Sequence, residues 1–97
     1  MNFLKLFIFL NIIFFTYFVY AGCDEPPANE VDWTNCNFIE NIDLSGVSLA
    51  GASMTGVNLL IVNLEKSQLN NANMSFGNFT LGNFNNSNLF SANLQYA

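Results

Sequence analysis

The chain has 97 residues, with two lysines, no arginine, no histidine and seven acidic residues, so it holds one small domain at most. Nucleic-acid binding needs a basic footprint, which two lysines do not supply. Enzymatic sites need a base, a nucleophile or a metal ligand in a pocket, and no histidine is present to serve there. The composition therefore predicts a non-enzymatic protein with no cofactor, no metal ion and no nucleic-acid partner.

Residues 1–22 form an apolar leader whose one charge is Lys5. A short basic start, an apolar run and small residues at the end predict a signal peptide that forms a hydrophobic N-terminal helix. Three fates fit this leader: cleavage after Ala21, retention as a membrane anchor, or lipidation of Cys23. The third arises because Ala21-Gly22-Cys23 resembles the lipobox of bacterial lipoproteins, although Tyr20 departs from that motif. All three predict an exported protein that is secreted, periplasmic or anchored to the cell envelope.

Residues 23–30 are acidic and contain two prolines, which predicts a linker or an N-terminal cap. Six of the seven acids lie between positions 24 and 43, so the negative charge is local. The carboxylates of Asp32, Glu40 and Asp43 are close in sequence. This pattern favours a solvated acidic end cap over a paired catalytic site. Export would permit a disulfide between Cys23 and Cys36, whereas lipidation of Cys23 would exclude it. Cys36 also suits a small buried position.

Residues 31–96 repeat with a period of five. Thirteen blocks begin at Val31, with Asn41 as a one-residue insertion after the second block. The first residue of each block is small or β-branched, the second is polar and the third is large and apolar. Side chains alternate faces in an extended segment, so the first and third residues point inward and the second points outward. The predicted core consists of the third residues: Trp33, Phe38, Leu44, Leu49, Met54, Leu59, Leu64, Leu69, Met74, Phe79, Phe84, Leu89 and Leu94.

The last two residues of each block must turn the chain, and Gly46, Gly51 and Gly56 suit such corners, as do the pairs 70–71 and 85–86, which are Asn-Asn. A helix is excluded as the main structure because a period of five does not match the helical period.

Blocks such as 72–76 (Ala-Asn-Met-Ser-Phe) and 92–96 (Ala-Asn-Leu-Gln-Tyr) resemble the pentapeptide-repeat family, whose template is Ala-(Asp/Asn)-Leu-x-x. The resemblance implies an all-β fold, a right-handed quadrilateral β-helix of about three coils with four blocks to a turn. Residues 20 apart would then stack, and the insertion of Asn41 would lengthen that spacing by one for Trp33 and Phe38.

The resulting expectation is an exported structural scaffold or protein-binding module with an unknown protein partner. One alternative implied by the family is a DNA-mimicking protein that binds gyrase or another topoisomerase. The leader, the short repeat and its near lack of charge disfavour that role. A further alternative is a lipid-anchored envelope protein that uses Cys23. The repeat reaches Tyr96 without a polar cap, which predicts either an end-to-end homodimer or a minimal family member. The leader also predicts membrane association.

Overall fold

The computed structural model describes residues 22–38 and 41–97, and these ranges contain no helix. The predicted hydrophobic helix and the three fates of the leader fall on residues 1–21, outside the described residues. The described chain is a ladder of single parallel β-bridges between the second residues of blocks. The pairs are Asp32–Ser53, Asn37–Asn58, Asp43–Asn63, Ser48–Gln68, Ser53–Asn73, Asn58–Asn78, Asn63–Asn83, Gln68–Asn88 and Asn73–Asn93.

The register of the bridges defines the coils. Most bridges join residues 20 apart, so four blocks complete one turn. Coil 1 spans residues 31–51, coil 2 spans 52–71 and coil 3 spans 72–91, while 92–96 begins a further turn. In coil 1 the bridges of Asp32 and Asn37 span 21 residues, because Asn41 adds one residue there. The predicted β-helix is thus confirmed in its general form.

Backbone hydrogen bonds connect the coils at three places in each block. The N–H of the second residue donates to a carbonyl one coil earlier, as from Asn63 to Ile42 at 3.0 Å. The N–H of the third residue donates to a carbonyl one coil later, as from Leu44 to Asn63 at 2.7 Å. The N–H of the fifth residue does the same, as from Gly46 to Glu65 at 2.8 Å. The short segments therefore satisfy their polar backbone groups through the neighbouring coil, and not through long strands.

Each corner is a tight turn with a left-handed residue. The N–H that begins a new block donates to the third residue of the previous block, as from Ala52 to Leu49 at 3.1 Å. The fifth residue has a positive φ in every block whose corner is described. These residues are Asn35, Gly46, Gly51, Gly56, Ile61, Lys66, Asn71, Phe76, Leu81, Asn86, Ser91 and Tyr96, with φ between 58° and 71°.

The polar second residue of many blocks caps its own corner. Its side-chain oxygen accepts from the N–H of the fourth residue, as in Asp43 from Ser45 at 3.0 Å and Asn63 from Glu65 at 3.1 Å. Asp and Asn carry an oxygen at the reach that this turn requires. This local bond explains why the second column is rich in these two residues.

The core lies inside the coils. Eight of the thirteen predicted core residues are at most 2% exposed: Trp33, Leu44, Leu49, Met54, Leu59, Leu64, Leu69 and Met74. Phe38, Phe79, Phe84 and Leu89 are half-buried and pack against this cluster. Leu94 was wrongly placed in the core, since it is 43% exposed. No coil covers Leu94 among the described residues, so its side chain is packed from one side only.

Candidate functional site

The segment before the repeat covers the N-terminal end of the core. A disulfide joins Cys23 to Cys36 across a Cα–Cα distance of 5.5 Å, and Cys23 packs against the core. The indole N–H of Trp33 donates to the Glu25 carbonyl at 3.2 Å. The N–H of Glu30 donates to the Ala50 carbonyl at 2.9 Å. In this geometry residues 22–30 form a cap on coil 1 and not a linker that leads away from it.

The disulfide bears on the predicted lipidation of Cys23. A lipid attached to this residue would occupy the Sγ atom that is bonded to Cys36 in the structure. The two arrangements exclude each other, and Cys36 is both bonded and 2% exposed. In the disulfide form Cys23 therefore has no thiol to modify, and its lipidation stays a prediction for a form without this bond.

Asp32 and Asp43 each accept hydrogen bonds at the corner of their own block. The hydroxyl and then the N–H of Thr34 hold the pKa of Asp32 below its usual value, and the backbone bond is 3.0 Å long. The N–H and then the hydroxyl of Ser45 lower the pKa of Asp43 in the same way. Both carboxylates are thus ionised at neutral pH and serve as turn caps. Glu40, the third acid of the predicted group, lies outside the described residues.

Within residues 22–38 and 41–97, no group of three or more Cys, Asp or Glu residues is placed to hold a metal ion. No helix in the same part of the chain is long and apolar enough to cross a membrane.

An apolar concavity of about 480 Å³ lies at the C-terminal end of the coils. Its lining includes Phe79, Phe84, Leu89 and Leu94, which are the last members of the interior columns. The N–H groups of these third residues point away from coil 2, and none has a ladder acceptor in the described part of the chain. This end therefore combines three half-buried apolar side chains and the exposed Leu94 with backbone donors that lack a ladder partner among the described residues.

The family follows from the repeat and its geometry. Residues 28–67 match the family model for pentapeptide repeats, with eight copies. This chain contains pentapeptide repeats. Comparisons with curated proteins and with solved structures found no significant match. In this pentapeptide-repeat protein the ladder continues beyond the matched range as far as the Asn73–Asn93 bridge, so residues 68–96 repeat the same structure.

The outer surface of the pentapeptide-repeat protein carries several large apolar side chains at its corners. The exposed fractions are Leu60 40%, Ile61 41%, Phe76 62%, Leu81 77%, Phe90 75% and Tyr96 73%. The rings of Phe76 and Tyr96 stack with their centroids 5.1 Å apart. Since the repeat fixes every corner, these side chains are held at defined positions on the surface.

Two features of this surface were missed by sequence reasoning. The sequence predicted corners at Gly and Asn residues, but Ile61, Phe76 and Leu81 occupy the same left-handed position. The fixed fifth place in each block was the signal that could have found them. The second feature is Asn29, which bonds to Ser48 and accepts from the Ala50 N–H at 3.2 Å. The contact follows the period, because Thr34 and Ser53 form the corresponding pair five residues later, at 2.9 Å.

Proposed function

We propose that this pentapeptide-repeat protein is a non-enzymatic, exported module that serves as a structural scaffold or binds another protein. The observation that carries the proposal is the continuous ladder around a filled interior. It holds outward side chains at a fixed spacing of about 4.8 Å between coils, which suits a rigid contact surface. No cofactor and no nucleic acid enter the proposal.

The detailed fold belongs to the same proposal: a right-handed coil of square cross-section with about three turns. Four blocks per turn support the square section. The right hand is what the family resemblance implies. A crystal structure of the mature protein would test both, and a left-handed coil would contradict the proposal.

Export is supported by the leader and by the Cys23–Cys36 disulfide, because disulfides persist outside the cytoplasm. Residues 1–22 fused to a reporter that is active only outside the cytoplasm should give an active reporter. The same fusion with Lys inserted into the apolar run is the control. An inactive wild-type fusion would overturn export and leave the fold untouched.

The fate of the leader is a separate question with its own measurement. We propose cleavage after Ala21, because it leaves Cys23 free to bond with Cys36. The intact mass of the mature protein should then correspond to residues 22–97 less two hydrogens. A diacylated Cys23 at the N-terminus would instead establish the lipid-anchored alternative, and an uncleaved chain would establish the membrane anchor.

A second copy of the chain is the partner that we propose for the C-terminal concavity. The apolar lining and the unpaired N–H groups of the last coil support this end-to-end contact. Light scattering should show a dimer whose dissociation is promoted by Leu94→Asp. Phe90→Asp, which changes an exposed side chain outside the lining, is the control. A monomer at millimolar concentration would remove the proposal.

The topoisomerase-binding alternative ranks below this proposal. Mimicry of a nucleic acid requires a regularly charged surface. From Leu44 to Ala97 the only charged side chains are Glu65 and Lys66. Inhibition of gyrase supercoiling by the purified protein would reverse this ranking.

A further inference from the structure

Four of the left-handed corners are occupied by large apolar side chains: Ile61, Phe76, Leu81 and Tyr96. A bulky residue with positive φ strains the backbone, and a β-branched one such as Ile61 does so most. Each of these side chains is also at least 41% exposed to water. Glycine or asparagine at these corners would avoid both the backbone strain and the exposure of an apolar side chain, and the chain uses them at other corners. Strain that is retained at exposed positions points to a surface with a function.

These four residues border a single face of the coil. The blocks 57–61 and 77–81 stack through the Asn58–Asn78 bridge and form this face. Phe76 and Tyr96 are the corners that precede it, while Ile61 and Leu81 are the corners that follow it. The other two sets of corners carry small or polar fifth residues: Gly46, Lys66 and Asn86 on one, Gly51, Asn71 and Ser91 on the other. The four large apolar residues at left-handed corners therefore lie around one face of the coil.

The centre of this face is a row of amides. The Nδ2 of Asn58 donates to the Oδ1 of Asn37 at 2.7 Å, and the Nδ2 of Asn78 donates to the Oδ1 of Asn58 at 3.1 Å. Each of these donating amides keeps a second N–H for a ligand. The only charges beyond Leu44, at Glu65 and Lys66, lie on a different corner. We call this surface, with its row of Asn37, Asn58 and Asn78 between two apolar borders, the amide face.

The backbone under the amide face is already paired. Leu59 N–H donates to the Asn78 carbonyl at 2.8 Å, and Asn78 N–H donates to the Val57 carbonyl at 2.9 Å. A peptide strand therefore has no free backbone edge to join here. The three amides span only about 10 Å along the axis, at roughly 4.8 Å per coil. A stable protein complex buries roughly 800 Å² per partner, which corresponds to a patch roughly 28 Å on a side. The row of amides is much shorter than such a patch.

We propose that the amide face binds a neutral polysaccharide chain. Sugar rings present apolar C–H faces that would pack on the Phe76 and Leu81 borders, as apolar surfaces do on exposed aromatic rings. Their hydroxyls both donate and accept, which matches the second N–H of Asn58 and Asn78 and the remaining acceptor site of the Asn58 Oδ1. The Oδ1 of Asn78 already accepts from the N–H and the hydroxyl of Thr80 at 3.1 Å and 2.6 Å. The described residues of the three blocks that form this face carry no charged side chain, and an uncharged ligand fits them. The ligand class follows from this combination of amides and apolar borders.

The test uses the full mature protein and a panel of uncharged β-linked oligosaccharides, with cellohexaose and chitohexaose as probes. Titration followed by NMR should show saturable shifts of the amide-face residues. Phe76→Asn and Leu81→Asn should each weaken binding about tenfold, in line with the worth of an apolar or aromatic contact. Asparagine suits a left-handed corner, so these variants should keep the fold, which thermal unfolding checks. Asn58→Ala tests the amide row and should also weaken binding, because the Oδ1 of Asn58 accepts from Asn78, whereas that of Asn78 caps the corner at Thr80.

Phe90→Ala is the matched control, because Phe90 is 75% exposed at a corner that does not border the amide face. It should bind like the wild type. No saturable shift with any probe at millimolar concentration would overturn the proposal, and so would an equal loss in Phe90→Ala, which would indicate unspecific apolar adhesion. A wild-type dimer that Leu81→Asn converts to monomer, without sugar binding, would assign the face to self-association. The export and scaffold proposals stand or fall independently of these results.

Discussion

The ring of Phe84 occupies the space that a side chain on Gly82 would need. A Cβ atom built on Gly82 would lie 3.0 Å from the Cε2 of Phe84 and 2.9 Å from the Phe79 carbonyl oxygen. Gly77 and Phe79 show the same relationship in the previous block. Most third residues are Leu or Met and leave room for Ala or Val at the first place. In these two blocks of the last coil, a Phe in the core is thus accompanied by glycine two positions earlier, whereas Trp33 and Phe38 in coil 1 follow Val31 and Cys36.

Gly82→Ala should lower the free energy of unfolding by about 1–3 kcal/mol, because the new methyl group overpacks the last coil. The backbone φ of Gly82 is not in the left-handed region, so the loss is one of space. Urea unfolding would measure it. The double variant Gly82→Ala, Phe84→Leu removes the contact with the ring but not the one with the Phe79 carbonyl, so it should recover only part of the loss. A double variant that is as unstable as the sum of its single changes would contradict the coupling.

Ile61→Asn should raise the stability by about 1 kcal/mol, since it relieves a β-branched residue at a φ of 58°. The opposite change at an equivalent corner, Asn71→Ile, should lower it by a similar amount. Thermal and urea midpoints of both variants would be compared with the wild type. A loss of stability in Ile61→Asn would mean that side-chain contacts of Ile61 outweigh its backbone strain.

Leu69→Ala should cost about 2–5 kcal/mol, because Leu69 is fully buried and its truncation leaves a cavity. Leu94→Ala is the matched comparison and should cost less than about 1 kcal/mol, since its side chain is 43% exposed. Urea unfolding of both variants and the wild type would measure these losses in stability. Equal losses at the two positions would show that the last coil is covered in solution.

Reduction of Cys23–Cys36, or the double change to alanine, should lower the stability by about 3 kcal/mol, the loop-closure value for a loop of this size. Release of the cap should also expose the indole of Trp33, which is 1% exposed and bonded to Glu25. Tryptophan fluorescence would then shift to longer wavelength and become accessible to iodide. An unchanged spectrum would mean that the cap stays in place without the disulfide.

Asp32 and Asp43 should make a small pH-dependent contribution to stability. Their folded pKa values are lowered by hydrogen bonds from Thr34 and Ser45. The contribution is therefore complete above the unfolded pKa of about 4 and is lost as the pH falls through the lower folded values. Both groups are exposed, so screening by solvent keeps the effect modest.

The double variant Asp32→Asn, Asp43→Asn keeps an oxygen acceptor for each turn, as Asn63 does for Glu65. Its unfolding midpoint should fall less between pH 7 and pH 2 than that of the wild type. An identical fall in both proteins would show that these carboxylates do not contribute to acid sensitivity.

Much of the fold could be derived from the printed residues. The five-residue pattern predicts that the side chains of Leu59 and Leu64 point inward, because alternation along an extended segment is a local property. The extra residue Asn41 predicts the 21-residue spacing at Asp32 for the same reason. The polar column also follows locally, since the bond from Ser45 to Asp43 lies within one block. Leu94 fits the same pattern and is exposed, because burial also depends on a neighbouring coil.

The tertiary structure decided which residues meet. Neither spacing nor composition indicated that Glu25 would contact Trp33, because this bond crosses between non-repeating and repeating chain. The pattern left the pairing of Cys23 and Cys36 open, and the fold brings their Cα atoms within 5.5 Å. The concentration of strained apolar corners around the amide face is visible only once the coil is closed, since residues 20 apart become neighbours there. The period follows from the order of residues, but the surfaces depend on how the coils stack.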